Sequence, residues 1–188
     1  MELVSEAIAF AAKAHDGMRR KKSEVPYILH PMEAAVIVGT MTEDQNLIAA
    51  AALHDVVEDT DITIEEIEEK FGKRVRELVG SETEDKRAEL PPAATWRIRK
   101  EESLAVLERT EDLGVLMVWL GDKLANMRSI YRDFKVEGEA MWQRFNQKDP
   151  AQQAWYYRSI VTLTQRLSHT SAWLEYKTLT ELVFGKGE

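Results

Sequence analysis

The sequence contains no cysteine among its 188 residues. That excludes structural disulfides, thiolate metal sites and a cysteine nucleophile. Glycine is scarce at 9 residues and proline at 5, so few positions can break a helix. Long apolar runs are missing too. The richest stretches, such as Leu47 to Leu53, fall far short of the roughly 20 residues that span a bilayer. Positive charge is in deficit: Lys and Arg total 25 against 33 Asp and Glu, a net charge of −8. That balance argues against a nucleic-acid partner, whose affinity would come from neutralised phosphates. Met1 is followed at once by Glu2, without the basic, apolar and small-residue series of a signal peptide. These absences predict a soluble, cytoplasmic chain with no membrane partner. Its length fits one domain, residues 1–188, and its 44% hydrophobic content is enough for a sizeable core.

What is present is helical periodicity. Leu3, Ile8, Ala11 and Ala12 form an apolar face over Glu2 to His15, and Asp16-Gly17 ends that helix. Pro31 is placed as the first residue of a second helix, where its missing N–H costs nothing. Thr42 with Gln45, and Thr63 with Glu66, read as capping boxes. The first opens a third, nearly all-apolar helix from Asn46 to about Val57, and Gly72 caps the end of the next. Ser81 to Thr95, with Pro91-Pro92, reads as a loop before a helix over Trp96 to Thr110. Val115 to Ser129 predicts a second buried helix, and Ala151 to His169 and Ser171 to Phe184 the last ones. No strand pair, repeat or linker stands out, so the expected fold is one all-α bundle.

Four histidines occur, at 15, 30, 54 and 169. His54-Asp55 lies at the end of the apolar third helix, with Glu58 and Asp59 three and four residues beyond Asp55. Continued helix would stack His54 on Glu58 and Asp55 on Asp59. Such crowding is costly unless a cation sits among the groups. A solvated acidic helix end, running into Glu65, Glu66, Glu68 and Glu69, explains these residues equally well. Asp122 tips the balance. It sits inside a buried helix after Gly121, a residue that costs stability there unless close approach requires it, and Asn126 shares its face. His30, before Pro31, could supply a second imidazole. Two His and two Asp suit a divalent ion such as Mn²⁺, with Fe²⁺, Co²⁺ or Zn²⁺ also possible. His15 and His169 are assigned no role.

These segments together resemble one family. Pro26-Tyr27-Ile28-Leu29-His30-Pro31, Ala52-Leu53-His54-Asp55-Val56-Val57-Glu58-Asp59-Thr60, Phe71-Gly72 and Gly121-Asp122-Lys123-Leu124-Ala125-Asn126-Met127-Arg128 are similar to the HD-type (p)ppGpp hydrolases of the Rel/SpoT type, in particular the stand-alone small alarmone hydrolases. The resemblance runs from about Ala7 through Arg132, and loosely over Trp155-Tyr156-Tyr157. It implies an HD-domain helical bundle and Mn²⁺ held by His30, His54, Asp55 and Asp122. Glu58 and Asp59 would position or activate the attacking water. The implied reaction removes the 3′-diphosphate of a small phosphorylated nucleotide as pyrophosphate, returning GDP or GTP. Long bifunctional relatives add a synthetase, for which 188 residues leave no room, so hydrolysis alone is expected.

The same resemblance implies substrate contacts. The family grips base and phosphates with an Arg-Lys pair, matched here by Lys21-Lys22 or by Arg20-Lys21. Asn126 matches a residue near the ribose, Lys86 one near the phosphates, and Tyr156 or Tyr157 could stack on the base. Two positions depart from the family. Trp119 stands where relatives often carry Lys, and Ala125 where His or Tyr is common. The basic run Arg97, Arg99 and Lys100 is a candidate to offset the lost positive charge. Two rival readings follow: another HD phosphohydrolase acting on a nucleotide or on NADPH, and a non-catalytic alarmone sensor.

Overall fold

Small side chains set how closely the N-terminal helices pack. The computed structural model describes residues 2–20, 23–85, 87 and 89–186. Helix α1 (Leu3–Ala14) buries Ala7 and Ala11 against α3 (Gln45–Leu53), whose run Ala49 to Leu53 is fully buried. With methyl groups on both sides, the two backbones come close. Ile8, expected on the apolar face, is exposed, because the buried stripe follows Leu3, Ala7 and Ala11 in steps of four.

The second helix, α2 (Leu29–Gly39), starts two residues before Pro31, so the proline lies in the first turn rather than at its opening. Its N–H would lack a partner there in any case. Thr42 does not form a capping box with Gln45. Asp44 caps α3 by accepting from the Asn46 N–H, and the Thr42 hydroxyl instead accepts from the Asp44 N–H. An Asp directly before the helix out-competes a threonine three residues away. The apolar third helix does not run on to Val57. It stops at Leu53, His54 and Asp55 form a turn, and one further turn, α4 (Val56–Asp59), follows. The second capping box is present: Thr63 and Glu66 exchange hydrogen bonds at the start of α5 (Ile64–Phe71), and Gly72 caps its end with φ of 85°.

Next come α6 (Lys73–Glu82), α7 (Pro92–Arg109) and α8 (Leu113–Glu137). Helix α7 begins four residues before Trp96, because a proline at the first helical position starts a helix as readily as a Pro pair marks a loop. Residues Gly138–Arg144 form a 3-10 segment, followed by α9 (Pro150–Leu163), the 3-10 turn Gln165–Leu167 and α10 (Ser171–Phe184). Among the described residues the only strand-like pairing is an isolated antiparallel bridge between Arg19 and Pro26. No helix among them is long and apolar enough to cross a membrane. The expected all-α bundle is what the chain forms.

Buried helix α8 is the axis, packed by α2 on one side and α10 on another, with α3 and α6 beneath. Gly121 lets α2 in. A Cβ built there would stand 2.6 Å from Val38 Cγ2 and 3.0 Å from the Ala34 carbonyl oxygen. Ala34 lies one turn after His30, and Asp122 directly follows Gly121, so this contact also sets the spacing of two functional side chains. Gly121→Ala gains about 1 kcal/mol in helix propensity but meets a backbone oxygen that cannot move aside. We expect a net loss of about 1–3 kcal/mol from overpacking. Denaturant unfolding measures it, and a variant as stable as the wild type would contradict the close approach.

Candidate metal centre

Separate elements each deliver part of one cluster. His30 lies in the first turn of α2, His54 and Asp55 form the turn between α3 and α4, and Asp122 sits mid-way along α8. Broken helix at His54-Asp55 matters, because two successive side chains can then face the same point. His30 Nε2 is 3.0 Å from Asp122 Oδ1 and 3.5 Å from Asp55 Oδ2. His54 Nε2 is 3.0 Å from Asp55 Oδ2 and 3.5 Å from Asp122 Oδ1. The imidazole rings meet edge to face with centroids 5.2 Å apart. His30, His54 and Asp122 are buried, and their ligand atoms all lie within 4.8 Å of one another.

The donor set fits a divalent cation. The His54 Nδ1–H donates to the Ala51 carbonyl oxygen at 2.8 Å, which leaves Nε2 of the neutral ring as a lone pair. That buried atom has no hydrogen-bond partner and is aimed at carboxylates. Lone pair and anions facing one another are repulsive unless a positive charge lies between them. Burial alone would push His54 down, but Asp55 and Asp122 hold it well above the usual histidine value. Burial would likewise raise both carboxyls, yet His54 draws Asp55 down, and Lys123 with His54 draws Asp122 far down. Two carboxylates and two neutral imidazoles carry a charge that a divalent ion balances, and their nitrogen and oxygen atoms are suitable ligands.

Around this centre the expected residues divide. Asn126 donates from Nδ2 to Asp122 Oδ1 at 2.7 Å, and Arg20 donates to Asn126 Oδ1 at 3.2 Å, so both line the rim. Glu58 Oε2 accepts from the Glu84 N–H at 3.5 Å, and Asp59 interacts with the Tyr27 hydroxyl. Tyr156 is buried among Trp96, Trp155 and Tyr157, with the Lys100 ammonium 4.9 Å from its ring centre. Lys21, Lys22 and Lys86 lie outside the described residues. Arg99 and Lys100 both reach Glu84, at 3.0 and 2.7 Å, and Ser103 donates to the same carboxylate. Arg97 turns away, stacking 3.4 Å over Trp155 and pairing with Glu101.

Four neighbours escaped the sequence reading. Tyr27 donates to Asp55 Oδ2 at 2.7 Å, a position signalled only by its place in the His30 motif. Lys123 hydrogen-bonds Asp122, lies 3.6 Å from Glu82 and sits 4.6 Å over Trp119. Its adjacency to Asp122 was the available signal. Glu82 and Glu84 had none, since they belong to a stretch that reads as surface loop.

Glu82 makes this wall pH-sensitive. With Lys123 committed to Asp122, burial pushes the Glu82 carboxyl up to about 8 despite the opposing pull of Lys123. The unfolded chain releases the same proton near the ordinary value of about 4.3. Between those values the folded state holds a proton that the unfolded state lacks, so stability falls as pH rises. Glu82→Gln keeps a neutral side chain of the same shape. In chelator-treated protein, thermal melts from about pH 5 to about pH 8 are expected to show the wild type losing ground to Glu82→Gln. Parallel curves would mean that Glu82 is ionised throughout.

Comparison with known proteins bears on the cluster. A family model described as HD domain matches residues 7–151. The chain is 36% identical over 130 residues to the guanosine-3′,5′-bis(diphosphate) 3′-pyrophosphohydrolase of Aquifex aeolicus, covering 69% of this chain and 18% of that one. It is 33% identical over 132 residues to the GTP pyrophosphokinase of Myxococcus xanthus, covering 69% and 17%. It therefore spans less than a fifth of the length of these curated relatives. The solved structure of a metazoan ortholog of SpoT that hydrolyses ppGpp is similar with a TM-score of 0.77 at 26% identity, covering 99% of this chain and 98% of that one. With its His-His-Asp cluster inside a match that takes in most of its length, the chain belongs to the HD domain family.

Proposed function

We propose that this chain is a metal-dependent (p)ppGpp 3′-pyrophosphohydrolase, with residues 1–188 acting as one HD-type domain in the cytoplasm. The observation that carries the reading is the His54 Nε2 lone pair, buried between Asp55 and Asp122, with His30 opposite and Glu58-Asp59 one turn on. Two likenesses support the substrate: the Aquifex relative is named for this reaction, and the SpoT ortholog matched end to end hydrolyses ppGpp. A bound divalent cation, Mn²⁺ here with Fe²⁺, Co²⁺ or Zn²⁺ as alternatives, would polarise a phosphoryl oxygen and lower the pKa of a water.

The protein's own groups do the rest. His30, His54, Asp55 and Asp122 hold the ion. Glu58 and Asp59 orient the attacking water and take its proton. Water adds to the phosphorus bonded to the ribose 3′ oxygen, that P–O bond breaks, the 3′ oxygen takes up the proton the water gave to the acid pair, and pyrophosphate departs from GDP or GTP. Asn126, which accepts from Arg20, stands at the ribose side, Arg20-Lys21 or Lys21-Lys22 grips base and phosphates, Lys86 serves the phosphates, and Tyr156, beneath Lys100, is the candidate to stack on the base. Arg99 and Lys100 add positive charge to the phosphate side once Glu84 yields to the substrate.

Two measurements test this. Purified protein given Mn²⁺ and ppGpp is expected to release pyrophosphate and GDP, and His54→Ala to lose bound metal and turnover together. Orthophosphate in place of pyrophosphate would point to another HD phosphohydrolase, and tight binding without turnover to a sensor. Arg99→Ala and Lys100→Ala are each expected to raise KM for ppGpp by about tenfold, the loss of one charge-assisted contact. Arg97→Ala, which faces Trp155, should leave KM alone, and no change in any of the three would remove α7 from the substrate site.

A further inference from the structure

The Asp55 carboxylate is held by a residue outside the expected set. Asp55 stands at the N-cap of α4, yet its side chain does not cap that helix. Its Oδ2, the oxygen that faces both imidazoles, accepts from the Tyr27 hydroxyl at 2.7 Å. The negative charges of Asp55 and Asp59 both act on this buried hydroxyl and keep its proton in place.

Tyr27 is itself fixed from several sides. Its N–H donates to the Met18 carbonyl and its carbonyl accepts from the His30 N–H. The buried His15 ring lies tilted against it, at 33° with centroids 5.1 Å apart, and His30 lies edge-on at 6.0 Å. The Arg20 guanidinium, whose other contact is Asn126, sits 5.6 Å over its ring. A side chain braced in this way has little rotamer freedom, so its hydroxyl is a fixed donor rather than one of many available to a mobile carboxylate.

We propose that Tyr27 is a positioning residue of the metal centre: its hydroxyl sets the rotation of the Asp55 carboxylate, and His15 braces the ring that carries it. This rests on the metal-hydrolase reading, and it gives His15 a part that the sequence did not. A donor behind a carboxylate ligand orients the oxygen that meets the ion, and loss of such a partner commonly weakens metal binding about 10- to 100-fold. Phenylalanine keeps the ring and its packing while deleting only the hydroxyl.

The test is a Mn²⁺ titration of wild type and Tyr27→Phe by electron paramagnetic resonance, without nucleotide. The dissociation constant is expected to rise about tenfold or more in the variant. With Mn²⁺ saturating, kcat for ppGpp falls while KM stays near the wild-type value, because the hydroxyl meets carboxylates and not the substrate. An unchanged dissociation constant overturns the proposal, as does a fall in thermal stability with metal binding intact. Should Tyr27→Phe fail to fold, the unsubstituted chain labelled with 3-fluorotyrosine decides. One of its five tyrosine signals must move as Zn²⁺ is added, and five unmoved signals overturn the proposal. If Tyr27→Phe weakens Mn²⁺ binding but the wild type leaves ppGpp uncut, Tyr27 keeps its role and only the substrate reading fails.

Discussion

The close approach of α2 and α8 is the constraint on which the centre depends. Gly121 faces the Ala34 carbonyl and Val38 on α2, and no side chain fits between. His30 is one turn before Ala34 on that face and Asp122 is next to Gly121, so the same contact brings His30 Nε2 to 3.0 Å from Asp122 Oδ1. Alanine packing of α1 on α3 does the same for the other half. It seats α3 so deeply that the residue capping its end, His54, emerges inside the protein rather than at its surface.

Once assembled, the cluster is held against its own electrostatics. Anions at such distances repel by several kcal/mol even with an effective dielectric of about 20. The fold answers with Lys123 on Asp122, Tyr27 on Asp55 and a raised affinity of His54 for a proton. Each gives a carboxylate of the cluster a donor or a positive charge. The cations of α7 are in the opposite state: Arg99 and Lys100 are already paired with the Glu84 carboxylate. One side of the site is thus short of positive charge, and the other has its positive charge covered.

How much of this was legible in the sequence follows from what is local. The all-helical fold, the Thr63–Glu66 box, the Gly72 cap and the purpose of Gly121 each depend on residues within a turn or two of each other, or on one residue with no side chain. The His30, His54, Asp55 and Asp122 set was legible because each sits in a short, unusual context. Helix limits were less so. Asp44 displaced Thr42 as a cap, Pro92 opened a helix from within a loop pattern, and the third helix broke at His54-Asp55 although its periodicity runs on. Lys123, Glu82 and Tyr27 were missed for a different reason. Tyr27 meets Asp55 across 28 positions and Glu82 meets Lys123 across 41, which no local pattern records, whereas the adjacency of Lys123 to Asp122 was a local signal left unread.

Trp119 illustrates how a departure from a family pattern can be read once contacts are known. A lysine at that position would add a second ammonium close to Lys123, and two buried cations raise each other's cost. The indole instead offers its face to Lys123 at 4.6 Å and donates from Nε1 to the Ser81 carbonyl, which holds the end of α6 and so the start of the segment bearing Glu82 and Glu84. A ring under an ammonium stabilises it by about 0.5–2 kcal/mol without adding charge. Lys123 supplies the positive charge beside Asp122, and Trp119 ties the wall of the site to α6. The change thus alters what lies beside the candidate metal ligands while leaving His30, His54, Asp55 and Asp122 in place.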